Sequence, residues 1–526
     1  KIAENLNSAT ADQAALLLEN VSLQFKDYSV DENGTGYAET TISNAKMYRL
    51  PFDLQVTTRT AAKTFWETLT ITGYSASTKA KVIDNAVFYY CPDFAKNAVN
   101  PVGGSTTKPT EPGLGEQPKD TPIYVRSARQ LNALSRSVYY WNQHVEHGGK
   151  KLYFLQETDI DFGTYARYWN DDKTSFTSYC GRTFDLMDTS ETNPYRNVPI
   201  GTPNKTSDSS RPSNFQNIYD GQGHKIIDYC QLNTQWQFAG LFGEVEYATL
   251  KNIVMTASNP AEESAYIKST FSRNDLKSGV GALAGLLYER PTGDGLDTKK
   301  ARAQIVNCSV SGYHVEYIGG ASKNYAVGGL VGFNFGSVSN SSAVCNVYGS
   351  NEGGTDGRIG GLVGSMNGRA TVSNSYSGGT IYASKSAQVG GISGGIYNIY
   401  GYNHTSGADY RPVTVSNCYS YCTLNKSNLA GANSVYPIAV ESGEYKLTVN
   451  NCYYLTDTMT DFNTQYMNGV SGKSYDELSK LTFTDADGKT IIGEAPGYPF
   501  PAFVRKIVKG DYGEFVHYGD WPLKTQ

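Results

Sequence analysis

Charge is scarce in this sequence. Asp, Glu, Lys and Arg make up 18% of 526 residues, and 45 basic residues stand against 50 acidic ones. The resulting net charge of −5 leaves no basic footprint for a phosphate backbone, so nucleic acid is not an expected partner. No apolar run reaches the roughly 18 residues that a membrane-spanning helix needs. Only six histidines occur (His144, His147, His224, His314, His404 and His517), and none lies in a His-Glu-x-x-His pair, which removes that zinc chemistry. The cysteines lack zinc spacing, and there is no Gly-x-Ser-x-Gly for a serine nucleophile. No lysine follows the glycine-rich stretches where a phosphate loop needs one. No catalytic residue, cofactor or resident metal is expected.

Glycine and tyrosine, by contrast, are abundant, at 54 and 40 residues. The glycines recur in a pattern. Val327-Gly328-Gly329-Leu330-Val331-Gly332 returns as Ile359-Gly360-Gly361-Leu362-Val363-Gly364 and, more loosely, at Val389–Gly394, Val280–Gly285 and Phe238–Gly243. Counted on the last glycine (Gly243, Gly285, Gly332, Gly364, Gly394), the steps are 42, 47, 32 and 30 residues, the range of a solenoid. Each stretch reads as one tightly packed strand per rung. A second element travels with it: Asn252, Asn307, Asn340, Asn374, Asn417 and Asn451 each follow an aliphatic residue by two positions and precede a small or apolar one. Both neighbours can face inward only if the chain turns a corner at the asparagine, a residue that tolerates the left-handed conformation. Stacked corners predict an asparagine ladder with amide bonds between rungs.

Eight cysteines could suggest disulfides, but Cys308, Cys418 and Cys452 directly follow a repeat asparagine, and Cys345 and Cys422 follow one by five. Equivalent positions in a stack favour small buried side chains, so free buried thiols are expected.

The domain plan follows from composition. Residues 1–96 lack the repeat and alternate in short segments, as a small β-sandwich-like domain would. Residues 97–121 are a Pro/Gly-rich linker. Ser127 and Gln130 form a capping-box pair ahead of Leu131, Leu134, Val138 and Trp141 at helical spacing, which predicts a helical N-terminal cap on a solenoid spanning 122–455. Residues 456–526, with a second capping box at Ser474 and Glu477, read as the C-terminal cap.

This helix, Asp159-Ile160-Asp161, Asp220-Gly221-Gln222-Gly223-His224 and the Gly-Leu-x-Gly repeats together resemble the GLUG-repeat family over about residues 122–455. The resemblance implies an all-β fold, a right-handed parallel β-helix, on exported bacterial surface proteins. These include adhesins and the non-catalytic part of some immunoglobulin-cleaving metallopeptidases. The layout, a small β domain before the array, is similar to cell-adhesion or fimbrial-tip proteins. The expected function is therefore non-enzymatic adhesion at the cell surface to host or matrix glycan or protein, possible neighbours being other pilus or surface subunits. The alternatives are a polysaccharide-degrading β-helix enzyme and a structural pilus subunit. The chain starts Lys1-Ile2-Ala3-Glu4 with no apolar leader, as a processed or a truncated chain would; export is what the resemblance implies.

Two sets of residues are candidate sites. Tyr376, Tyr419 and Tyr453 stand two residues after their asparagines and should face outward as a stack, which either stiffens the ladder or binds sugar rings or a partner. Tyr397, Tyr400 and Tyr402, in the insertion between Asn374 and Asn417, could extend that surface. Asp159, Asp161 and Asp220 are read as turn and capping residues, with calcium binding as the weaker alternative. No acidic position recurs from rung to rung, as a glycosidase pair on a β-helix would require.

Overall fold

The structure, a computed structural model, describes residues from Ile123 to Ser479 with gaps, and backbone strands alone on either side. Among the described residues the fold is all-β, and its long sheets are parallel. Four of these sheets run side by side, and one rung shows how the chain visits them. Tyr325–Gly328 lies in a six-stranded sheet and Val331–Asn334 in a four-stranded one; Ser337–Ser339 joins a nine-stranded sheet and Ser342–Asn351 a twelve-stranded one. The following rung repeats the circuit with Gly357–Gly360, Val363–Met366, Thr371–Ser373 and Tyr376–Gly378.

The pairings Phe242↔Ala284, Ala284↔Val331, Val331↔Val363 and Val363↔Ser393 reproduce the steps of 42, 47, 32 and 30 residues found in the sequence. Two further rungs carry no Gly-Leu signal. Ile200 pairs with Phe242, and Ala439 with Ser393. In the last of these, Tyr436 takes the place opposite Gly390.

The core is made of identical columns. Val280, Val327, Ile359 and Val389 stack in one sheet, and Leu250, Ile305, Val338, Val372 and Val415 in another, all fully buried. Each such side chain contributes roughly 1.5–3 kcal/mol by leaving water.

The glycine stretch is a corner rather than the single strand expected. The chain leaves one sheet at Gly328, turns through Gly329 and buried Leu330, and enters the next sheet at Val331. The glycines are needed because backbones meet there. A methyl group on Gly332 would lie 2.5 Å from both the Gly285 carbonyl oxygen and the Val280 nitrogen.

The asparagine corners stand as expected. All six have positive φ, between 49° and 62°. Asn307 Nδ2 donates to Asn252 Oδ1 at 2.8 Å, Asn417 Nδ2 to Asn374 Oδ1 at 3.1 Å, and Asn451 Nδ2 to Asn417 Oδ1 at 2.8 Å. Asn340 Oδ1 accepts no bond, so the ladder is interrupted at that rung. The residue after the asparagine closes the corner. The side chains of Cys308, Ser341, Ser375, Cys418 and Cys452 each donate to the carbonyl two residues back. This explains why cysteine and serine interchange there.

Among the described residues, Cys308, Cys345, Cys418, Cys422 and Cys452 are buried thiols outside any disulfide, and Cys230 is a half-buried thiol.

At the N-terminal end Leu131, Leu134, Tyr140 and Trp141 are buried, and Ser135 N–H donates to the Leu131 carbonyl with helical spacing. Asn217 Nδ2 ties the Tyr140 and Trp141 carbonyls to the first rungs. Ser127, Gln130 and Val138 lie outside the described residues.

At the other end Val470–Lys473 pairs in parallel with Cys452–Leu455, so the stack runs on past residue 455. The capping box forms there: Ser474 N–H donates to Glu477 Oε2 at 2.9 Å, ahead of the short helix Tyr475–Ser479 with Leu478 buried. In residues 1–96 the described backbone comprises two antiparallel pairs, Ala38–Ile42 with Ala45–Arg49 and Glu67–Tyr74 with Lys81–Tyr90.

Candidate functional site on the outer face of the long sheet

Alternation along the twelve-stranded sheet separates a core face from an outer face. Ile267, Val315, Val347 and Ile381 point inward and are buried. Their neighbours Tyr266, Lys268, His314, Glu316, Tyr348 and Tyr382 face outward and are half-buried, and Ile318 is 41% exposed. Register aligns them across rungs: Lys268↔Glu316↔Tyr348↔Tyr382 form one column, and Tyr266↔His314↔Asn346 the next.

A bulge sets the ionic end of this face. The register shifts between Ser311 and His314, where Gly312 has φ +74°, and a turn at Pro260–Glu262 delivers Glu263 above it. Glu263 Oε2 accepts from Lys268 Nζ at 2.9 Å, while Glu263 Oε1 lies 3.5 Å from His314 Nδ1. His314 Nε2 is 2.7 Å from Glu316 Oε2. Lys268 Nζ also sits 5.1 Å above the Tyr266 ring. The Lys268 hydrogen bond holds the Glu263 carboxyl below its ordinary pKa, against the opposing effect of partial burial. Two rungs on, Tyr348 and Tyr382 lie with ring centroids 6.4 Å apart at 42°. The face thus offers carboxylate acceptors and an imidazole beside tilted aromatic rings. A hydroxyl-rich ligand with an apolar face can use both.

The tyrosine stack expected at the corners exists, but it is not an open strip. Tyr376 and Tyr419 stack at 4.9 Å and 10°, and both are fully buried. Tyr421 stacks 6.4 Å from each and is half-buried. The open strip expected of Tyr376 and Tyr419 is therefore corrected: alternation puts the pair on the outward side, but packing seals it, while its neighbour Tyr421 reaches solvent. Tyr453 is half-buried, donates to Asn451 Oδ1 at 2.6 Å, and has Lys473 Nζ 5.8 Å from its ring. Tyr397, Tyr400 and Tyr402 lie outside the described residues.

The acidic candidates act as fasteners. Asp220 is fully buried; it accepts from Tyr153 Oη at 2.7 Å, Asn252 Nδ2 at 2.8 Å and the Gln222 N–H at 3.0 Å, with Lys251 Nζ at 3.4 Å. It anchors the asparagine ladder, and its oxygens are occupied. Asp159 Oδ1 accepts the Lys225 N–H at 2.9 Å and meets His224 Nδ1 at 3.3 Å, and the His224 contact is the chief cause of its lowered pKa. The Asp161 side chain lies outside the described residues. Among the described residues no group of three or more His, Cys, Asp or Glu side chains is placed to hold a metal ion.

The outer-face residues escaped the sequence reading, although a signal existed. Tyr348 and Tyr382 each follow their asparagine by eight residues, whereas Glu316 follows Asn307 by nine because the bulge inserts one.

No family model matches the chain, and no curated protein matches it. Three solved chains do. One is described as a "putative immunoglobulin A1 protease" from Bacteroides ovatus, with 17% identity and a TM-score of 0.43 over 72% of this chain and 94% of that one. A likeness that slight carries no argument about this chain.

Proposed function

We propose that this chain is a non-enzymatic, exported cell-surface protein that adheres to host or matrix glycan or protein, with the parallel β-helix as a rigid scaffold. In this reading the helix is right-handed, as parallel crossovers are. It is closed by a helical cap at 127–141 and carries a small β-sandwich-like domain in residues 1–96. The observation that carries the reading is the accessible outer face from Lys268 to Tyr382, where side chains from successive rungs form one continuous surface. A stack of rungs fixes such a surface without ordering any loop, which lowers the entropy lost on binding.

One grouping bears on the alternative, an enzyme acting on polysaccharide: Glu263 and Glu316 converge on His314. A glycosidase acid keeps its proton near neutral pH, and the lowered pKa of Glu263 works against that role. The other alternative, a pilus subunit assembled through residues 1–96, predicts polymers that vanish when that segment is deleted.

The test is an array of glycans and matrix proteins probed with the full chain, alongside a reducing-sugar release screen. Binding without turnover supports adhesion. No binding, together with a hydrolytic activity abolished by Glu316→Gln, would overturn it.

A further inference from the structure

We infer that the outer face of the long sheet is a binding site for a neutral saccharide chain lying along the solenoid axis, with Tyr348 and Tyr382 as its ring platform and Glu263, His314 and Glu316 as its hydroxyl-binding end. The inference rests on the adhesion reading and gives that function a place and a ligand class.

The direction follows from register. Lys268, Glu316, Tyr348 and Tyr382 occupy one column on four consecutive paired strands, so the ligand's repeat runs across rungs, spaced by about 4.8 Å per strand. The class follows from the side chains. Tyr348 and Tyr382 are half-buried and present ring area to an apolar face, as tyrosines that anchor ligands do. Ile318, one of two exposed large hydrophobic residues among those described, stands two residues beyond Glu316 on the same face. At the other end the carboxylates of Glu263 and Glu316 bracket His314, and a carboxylate oxygen can accept a hydroxyl hydrogen beside the partner it already has.

Charge decides between neutral and ionic polymers. Lys268 is already paired with Glu263, and the remaining carboxylate, Glu316, faces His314. Among the described residues of this cluster one ammonium, Lys268, stands against the carboxylates of Glu263 and Glu316, so no cationic surplus is left to hold a sulfated or uronic chain.

The test titrates the full chain with a panel of neutral oligosaccharides and, in parallel, with a sulfated polysaccharide and the proteins of the array. Tyr348→Ala and Tyr382→Ala should each lower affinity for a neutral oligosaccharide by about tenfold or more, the scale of an aromatic anchor's truncation. The near-isosteric Glu316→Gln should weaken it, while Tyr475→Ala, exposed on the C-terminal helix, should bind like the parent chain. Unchanged circular dichroism and melting of the variants separates lost contacts from lost fold. If ligands bind but these variants bind them equally well, or if only the sulfated polymer or a protein binds, the site assignment falls and adhesion stands. If nothing in any class binds, both fall.

Discussion

The asparagine corner at Asn417 combines a backbone conformation that L-residues avoid with two side-chain bonds, and substitution separates these contributions. Asn417 has φ 52°, donates to Asn374 and accepts from Asn451. Asn417→Gly keeps the conformation and loses the bonds; Asn417→Ala loses both. Allowing about 1 kcal/mol for each bond and 1–2 kcal/mol for left-handed strain, the alanine variant should be less stable than the glycine variant in urea unfolding. Equal midpoints would show that the ladder bonds, not the backbone, set the cost. At Gly332 an added methyl meets backbone atoms that cannot step aside, so Gly332→Ala should cost about 3 kcal/mol, the upper end of overpacking. At Gly368 the nearest atom would be 3.6 Å away, on the Phe335 ring, so alanine there should cost only its backbone strain at φ 59°. Asp159 supplies a pH dependence. Its folded pKa lies below the unfolded one, chiefly through His224, so its stabilisation is present above the ordinary carboxylate pKa of about 4 and is lost as pH falls through the folded value. The side chain is half-exposed, which limits the effect to under about 1 kcal/mol. Asp159→Asn should flatten the acid limb of stability against pH by that amount.

At the scale of the element, the corner rather than the strand is the repeating unit. Cys308, Cys418 and Cys452 do the work of Ser341 and Ser375, donating to a carbonyl two residues back, and burial pushes the Cys308 thiol up to about 12. Of the six described thiols, half-buried Cys230 should therefore react with an aromatic disulfide reagent first, and the five buried ones only on unfolding. Rapid titration of all six in the native state would contradict this packing. The corner was legible in part. An asparagine flanked by inward residues demands a bend, and the bend is there at all six positions. The glycine stretch misled because a run of Val, Gly and Leu has no side chain large enough to show where the chain turns. Only the partition of Gly328 and Val331 into different sheets reveals it.

At the scale of the molecule, the described rungs form a stack in which each touches its neighbours, so the position of a defect along the axis should matter. Asn451 lies near the C-terminal end of the ladder and Asn417 one rung inside. Asn451→Ala should loosen amide protection near its own rung, whereas Asn417→Ala should do so on both sides, as read by hydrogen exchange. A uniform loss of protection in both variants would mean the array unfolds as one unit. The proposed ligand uses this same geometry, since its platform is assembled from rungs more than thirty residues apart in sequence.

The sequence by itself determined the repeat, its four steps, the asparagine corners and the buried thiols beside them, because each depends on residue type at a position repeated from rung to rung. It also placed the second capping box. Tertiary structure alone decided which outward side chains see solvent. Tyr376 and Tyr348 both follow their asparagines by an even number and both point outward, yet one is sealed and the other half-open. Alternation sets the face of a strand, but what packs over that face depends on parts of the chain far away in sequence. The same holds for Glu263, Lys268, His314 and Glu316. A bulge and a turn on different rungs bring them together, and no spacing in the sequence records that meeting.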